Sequence, residues 1–227
     1  MPAPTIAMRF PLVMGSERTR PAAVRVPAVQ IGARAGASTG ARACCTGPMS
    51  NAPVTVDRAG LWDAEALSDV AAATFPLACP PGSSAEDIAI FVEQVLSGER
   101  FGEYLSDPDR TVLKAVAGDE IVGYTMLHAG DPADPEVAAA VNLHPALEIS
   151  KMYVLPGRHG TGVSSALMEA ALRVAHEGGY PGLWLGVNQQ NVRAQRFYAK
   201  HGFEIVGTKT FALGREVQHD YVMRLLF

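Results

Sequence analysis

The sequence predicts an α/β domain. Strand-like and helix-like segments alternate along residues 54–226, and a glycine-punctuated loop leads from one strand-like segment into a helix-like one. At 227 residues and 48% hydrophobic, the chain can bury one full core.

Val54-Thr-Val-Asp57 reads as a short strand. Residues 61–74 carry Leu61, Trp62, Ala66, Leu67 and Val70 at helical intervals, and the three prolines of 75–82 should break that helix. Ser83 and Glu86 form a capping box for a second helix with Ile88, Phe91, Val92 and Val95 on one face. Residues 111–117 and 121–128 follow as antiparallel strands, joined by a tight hairpin around Gly118-Asp-Glu120. Residues 131–145 read as a long connection. Alternation returns in 147–155, and a helix over 161–177 places Val163, Leu167, Ala170 and Val174 together before Gly178-Gly179 ends it. A strand at 183–187, a helix at 191–201 and strands at 203–207 and 217–226 complete the order, with no internal repeat.

Charge divides the chain. Residues 1–48 hold six arginines (Arg9, Arg18, Arg20, Arg25, Arg34, Arg42) against Glu17, leaving 13 basic and 22 acidic residues for 49–227. An acidic body is a poor partner for nucleic acid, whose binding relies on Lys and Arg neutralising phosphates. The Ala- and Arg-rich stretch 1–48 lacks any sustained helix or strand period and reads as a disordered leader. Its composition resembles a transit peptide, but Met49 followed by the strand-like Val54 segment favours a start-site extension or flexible tail, with the domain proper spanning 49–227. No apolar run is long enough to cross a bilayer, and Cys44, Cys45 and Cys79 form neither a disulfide framework nor a metal-ligand spacing. A cytoplasmic protein without metal is therefore expected.

The glycine loop, Leu155-Pro-Gly-Arg-His-Gly-Thr-Gly-Val-Ser-Ser165, carries the first chemistry. Glycines let the backbone curl closely, and the first-turn N–H groups of the next helix lack intrahelical partners, so an anion such as a pyrophosphate is the expected guest. Gly157 to Gly162 has the glycine spacing of a nucleotide P-loop, but Val163-Ser164 stands where Lys and Ser or Thr are needed. A dinucleotide fingerprint would need glycine at Ser165.

A second constellation, Asn191-Val-Arg-Ala-Gln-Arg-Phe-Tyr-Ala-Lys-His-Gly-Phe203, lies downstream. Together the two resemble the hallmarks of the Gcn5-related N-acetyltransferase (GNAT) superfamily. Gln/Arg-x-x-Gly-x-Gly/Ala aligns with His159 to Ser164, with His159 and Ser164 as departures; Asn-x-x-Ala-x-x-Phe-Tyr-x-x-x-Gly-Phe is matched at Asn191, Ala194, Phe197, Tyr198, Gly202 and Phe203. The resemblance implies a single-domain acyl-CoA N-acyltransferase fold, a mixed central sheet with helices on both faces, and an acetyl-CoA co-substrate.

It also implies roles. Gly160, Thr161, Gly162, Val163 and Ser164 would hold the pyrophosphate through backbone N–H groups, with Arg158 or His159 adding side-chain contacts. A backbone N–H in Met152-Tyr153-Val154 would polarise the thioester carbonyl. Tyr198 stands where the family places the general acid for the CoA sulfur and is the leading catalytic candidate, with packing against Phe197 and Ala194 as the plainer alternative. Asn191 reads as a pantetheine contact or as an ordinary N-cap. A primary amine is almost wholly protonated at neutral pH, so its proton must be accepted, and Glu148 is the leading base; a strand residue that is solvated, or ion-paired for instance with Lys151, is the plainer reading. His128, His144, His219 and Asp220 are further candidates.

Phe75-Pro-Leu-Ala-Cys-Pro-Pro81, Leu183-Trp-Leu-Gly-Val187 and 211–223 resemble bacterial acetyltransferases of the PaiA type, associated with spermidine and spermine. The stretch 86–110 has seven acids against Arg100 and Arg110, which favours a polycation by long-range attraction or is simply a solvated helix face. By the same resemblance Phe75, Cys79, Trp184 and Tyr221 would line the acceptor channel, although three of them suit the core as well, and Trp184 between Leu183 and Leu185 especially reads as buried packing. The superfamily often forms homodimers. The main rivals are a non-catalytic acyl-CoA sensor and acetylation of protein, peptide or antibiotic amines.

Overall fold

The computed structural model describes residues 53–80, 82–158, 160–214 and 216–227; the leader 1–48 lies outside them. Seven strands form one sheet in the order β1-β2-β3-β4-β5-β7-β6, where β1 is Val54–Arg58, β2 Arg110–Ala117, β3 Glu120–Ala129, β4 Leu147–Val154, β5 Gly182–Asn188, β6 Glu204–Leu213 and β7 Glu216–Leu226. All neighbours are antiparallel except β4 and β5, which makes the sheet mixed.

The helices are α1 (Ala64–Ala78), α2 (Ala85–Val95), α3 (Gly98–Ser106), α4 (Pro135–Val141), α5 (Val163–Glu177) and α6 (Val192–Lys200). One face of the sheet packs against α1, α2 and α3 through Leu67, Phe75, Leu96, Phe101, Tyr124 and Met126, and α4 covers Trp184 and Val222 on that same face. The opposite face carries α5 and α6, whose Met168, Ala171 and Phe197 pack over Leu127, Ile149, Leu183, Leu185 and Met223. The expected two-sided arrangement follows from strict alternation along β5, where Leu183, Leu185 and Val187 face one way and Trp184 the other.

Several boundaries differ from expectation. The first helix does not stop before its prolines: Pro76 lies inside α1. Thr74 is buried with its hydroxyl donating to the Val70 carbonyl, and Phe75 stacks on Phe91 at 4.5 Å, so packing carries the helix past the hydrogen bond that Pro76 forfeits. Ser84, not Ser83, caps α2, accepting from Asp87 N–H at 3.3 Å. Helix α3 interrupts what reads as a plain acidic stretch, capped by Ser97 and anchored by fully buried Phe101. Helix α4 occupies the supposed connection 131–145, with Asp134 accepting from Glu136 and Val137 and Pro135 at its start. Strand β6 runs to Leu213, well beyond the expected 203–207.

Candidate active site

Strands β4 and β5 share one register pair, Glu148 opposite Trp184. Beyond it the two part, and β4 from Ile149 onward presents backbone to a cleft of about 930 Å³ instead of to a neighbouring strand. The cleft reaches from the glycine loop, past β4 and α6, to the inner sides of α1, β6 and β7.

At one end stands the start of α5. Its N-cap is Gly162, at φ +88°, a left-handed conformation that side chains other than glycine's rarely adopt. The first intrahelical bond is Ala166 N–H to the Gly162 carbonyl at 2.9 Å, so the N–H groups of Val163, Ser164 and Ser165 have no helical acceptor. Gly160, Gly162, Ser164 and Ser165 line the cleft there. Such a set of donors at the positive end of a helix dipole fits an oxygen-rich anion.

Tyr198 lies on α6, the helix that Asn191 caps by accepting from Ala194 N–H at 3.0 Å. Its ring meets Phe197 and Phe203 edge-on, at 5.4 and 5.8 Å between centroids, and it lines the cleft. Burial pushes its phenol up to about 12. Tyr153 of β4 lines the same cleft, and its phenol is raised well above the ordinary value by burial and by the nearby Tyr198, Cys79 and Asp220.

Glu148 owes its position to a bulge. Ile149 pairs with Leu127 and Lys151 with Met126, leaving Ser150 as an extra residue that shifts the alternation of β4. Ile149 and Met152 therefore point towards α5, whereas Glu148, Lys151 and Tyr153 share the other face. Glu148 Oε2 lies 3.9 Å from His128 Nδ1 and Oε1 lies 3.8 Å from Lys209 Nζ, so its partners are these two rather than the expected Lys151. Burial raises the carboxyl, but His128, Lys209 and Lys151 outweigh it and hold Glu148 below the usual carboxylate range. It is ionised at neutral pH. Lys151, over the Tyr104 ring at 5.0 Å, is lowered to about 8 by burial and by the charge of Arg110.

The structure thus gathers Glu148, Met152, Tyr153, Val154, Gly160, Gly162, Ser164, Asn191, Tyr198, Phe75 and Cys79 on one cleft. His159 lies outside the described residues. Val163 turns its side chain into the core and offers only backbone. Arg158 approaches Glu120 at 3.5 Å, and the Thr161 hydroxyl donates to the Arg158 carbonyl, so neither lines the cleft. Two expected acceptor residues also stand apart from it. Trp184 is buried under α4, and Tyr221 points to the α5 face because it lies opposite Val187. Conversely, Lys209 and Asp220 enter the cleft from β6 and β7. Asp220 was legible in the sequence as one of four further candidates, with nothing local to single it out. Lys209 left no local signal, because it meets Glu148 only through the fold.

A split mixed sheet with a glycine-capped helix at the split agrees with the CoA-dependent acyltransferase class that the sequence resemblance implies. A family model described as the Acetyltransferase (GNAT) family matches residues 73–203. An uncharacterized N-acetyltransferase of Mycobacterium tuberculosis is 53% identical over 163 residues, spanning 72% of this chain and 97% of the relative. Another, from Lactobacillus delbrueckii, is 28% identical over 142 residues, 63% of this chain and 79% of its own. The fold is similar to that of the PaiA N-acetyltransferase of Thermoplasma acidophilum solved with coenzyme A, at a TM-score of 0.61 and 20% identity, covering 77% of this chain and 99% of that one. The chain belongs to the GNAT family and is an acetyl-CoA-dependent N-acetyltransferase. No helix among the described residues is long and apolar enough to cross a membrane.

Proposed function

We propose that the chain transfers the acetyl group of acetyl-CoA to a primary amine by direct attack in the cleft between β4 and β5. One observation carries this reading: Glu148, Tyr198 and the start of α5 with its open N–H groups at Ser164 and Ser165, far apart in sequence, line the same cleft. Acetyl-CoA supplies the activated acyl group. The α5 N-terminus holds the pyrophosphate, and a backbone N–H of Met152 to Val154 polarises the carbonyl, a contribution of about 3 kcal/mol for one such donor. The amine attacks in its neutral form after releasing one proton to solvent, and Glu148 accepts the second, shed by the tetrahedral intermediate, whose N–H is far more acidic than that of the free ammonium. Tyr198 faces the leaving sulfur. At about 12 its phenol is a weaker acid than an ordinary thiol, so it acts first as a hydrogen-bond donor to the developing thiolate. The same apolar wall raises the thiolate's basicity and completes the transfer.

Spermidine and spermine are the acceptors we place first, on the PaiA-like sequence features and the acids of 86–110. A cytoplasmic setting suits this chemistry. The test is CoA-thiol release from acetyl-CoA by the full chain against polyamines, diamines, amino acids, aminoglycosides and basic peptides. Saturable release with polyamines supports the whole reading, and release with another amine moves the acceptor while keeping the mechanism. Acetyl-CoA binding without release across the panel overturns it in favour of a sensor.

A further inference from the structure

The acceptor end of the cleft already contains an ammonium group. Lys209 extends from β6 across Gly186 of β5, and its Nζ lies 3.8 Å from Glu148 Oε1. The absence of a side chain at Gly186 makes the crossing feasible: a Cβ there would fall 2.3 Å from Lys209 Cε, 2.7 Å from Nζ and 3.5 Å from Asp220 Oδ2. One small volume over Gly186 therefore holds the lysine head, flanked by carboxylates from β4 and β7. The Trp184 ring lies beneath, 5.3 Å from Nζ. Lys209 also borders a second, smaller pocket of about 160 Å³ beside Trp184 and the α4 N-terminus, into which its flexible stem has room to withdraw.

We propose that Lys209 is a specificity-determining residue, a tethered ammonium that occupies the seat of an acceptor's positive charge between Glu148 and Asp220 and competes with it. The inference rests on the amine-acceptor reading above and deepens it. The lysine head stands within ion-pair distance of Glu148, so an acceptor with one amine moves it from Glu148 towards its register neighbour Asp220. One with a second ammonium a few bonds away needs Asp220 as well, and meets Lys209 there. Lys209 thus lowers the advantage that two carboxylates would otherwise give to polycations, and a polyamine seats by displacing it. Burial raises the Asp220 carboxyl, and the charge of Lys209, the Asn188 hydrogen bond and His219 only partly offset it, so a further cation beside Asp220 would favour its charged form.

Propylamine and propane-1,3-diamine have the same length and differ by one charge, which makes them the probes. The readout is the ratio of kcat/KM for the diamine to that for propylamine, in the wild type and in Lys209→Met, Lys209→Arg and Gly186→Ala. Removing the lysine charge should raise the ratio about tenfold in Lys209→Met, and expelling the lysine head with the new methyl group should raise it similarly in Gly186→Ala. Lys209→Arg should stay within about twofold of wild type. Calorimetric binding of the diamine to the CoA-loaded protein provides a second measure independent of turnover and should tighten by the same factor in Lys209→Met. If the wild type acetylates no amine, the proposed function fails, and the binding comparison still decides the role of Lys209. An unchanged ratio, or unchanged diamine binding, in folded Lys209→Met overturns the proposal.

Discussion

Tyr198 and Lys151 show how one environment acts differently on two side chains. Both lose hydration on burial, but the neutral form of tyrosine is its acid and that of lysine is its base. Tyr198, pushed up to about 12, keeps its proton throughout the physiological range, and its loss should not produce an alkaline fall in rate below about pH 11. Tyr198→Phe should lower kcat by about 10²-fold or more, with acetyl-CoA affinity within about twofold of wild type; isothermal titration beside steady-state kinetics separates the two. Unchanged turnover would return Tyr198 to a packing role. Lys151 moves from the ordinary 10.5 down to about 8. Below pH 8 both folded and unfolded chains carry its proton, and the folded one bears the cost of burying it. Between about pH 8 and 10.5 the unfolded chain binds more protons, so stability rises with pH. Lys151→Met should therefore stabilise the protein at pH 7 by about 1–3 kcal/mol and remove that rise, as read by urea unfolding at pH 7 and 9.5.

Among the elements, α5 and β4 decide the chemistry by irregularities at or near one end. Among the described residues, no atom beyond Gly162's own chain neighbours lies within 4 Å of a Cβ placed there, so it is the left-handed φ that disfavours a side chain. Gly162→Val should lose about 1–2 kcal/mol of stability and weaken CoA binding by about tenfold, because relaxing that φ turns the first-turn N–H groups away from the cleft. Normal CoA affinity in a folded variant would remove the loop from the binding site. The Ser150 bulge matters in another way. Without it, Glu148 would share a face with Met152 rather than with Tyr153, and the carboxylate would lie on the opposite side of the sheet from Tyr153, Phe75 and Phe211.

At the scale of the molecule, strands β1–β4 and β5–β7 meet in the sheet through one register pair, and a ligand between them touches both groups. Acetyl-CoA at about 100 times its Kd should add about 2.7 kcal/mol to stability, a rise of about 5–10 °C in Tm for a domain of this size, measurable by scanning fluorimetry. The motifs at 155–165 and 191–203 made the CoA half of the site legible, because an anion-binding loop and its helix are contiguous in sequence and depend on glycine placement and periodicity. The element order was legible for the same local reason, apart from the short helices α3 and α4, which have too few turns to impose a period. The acceptor half was not. It arises where Glu148, Lys209 and Asp220 meet across three strands of a curved sheet, with a bulge choosing the face and a glycine leaving the space. Local sequence thus determined which segments fold and where CoA is held, whereas the charge of the acceptor site was decided only when strand pairing brought residues sixty positions apart within a few ångströms.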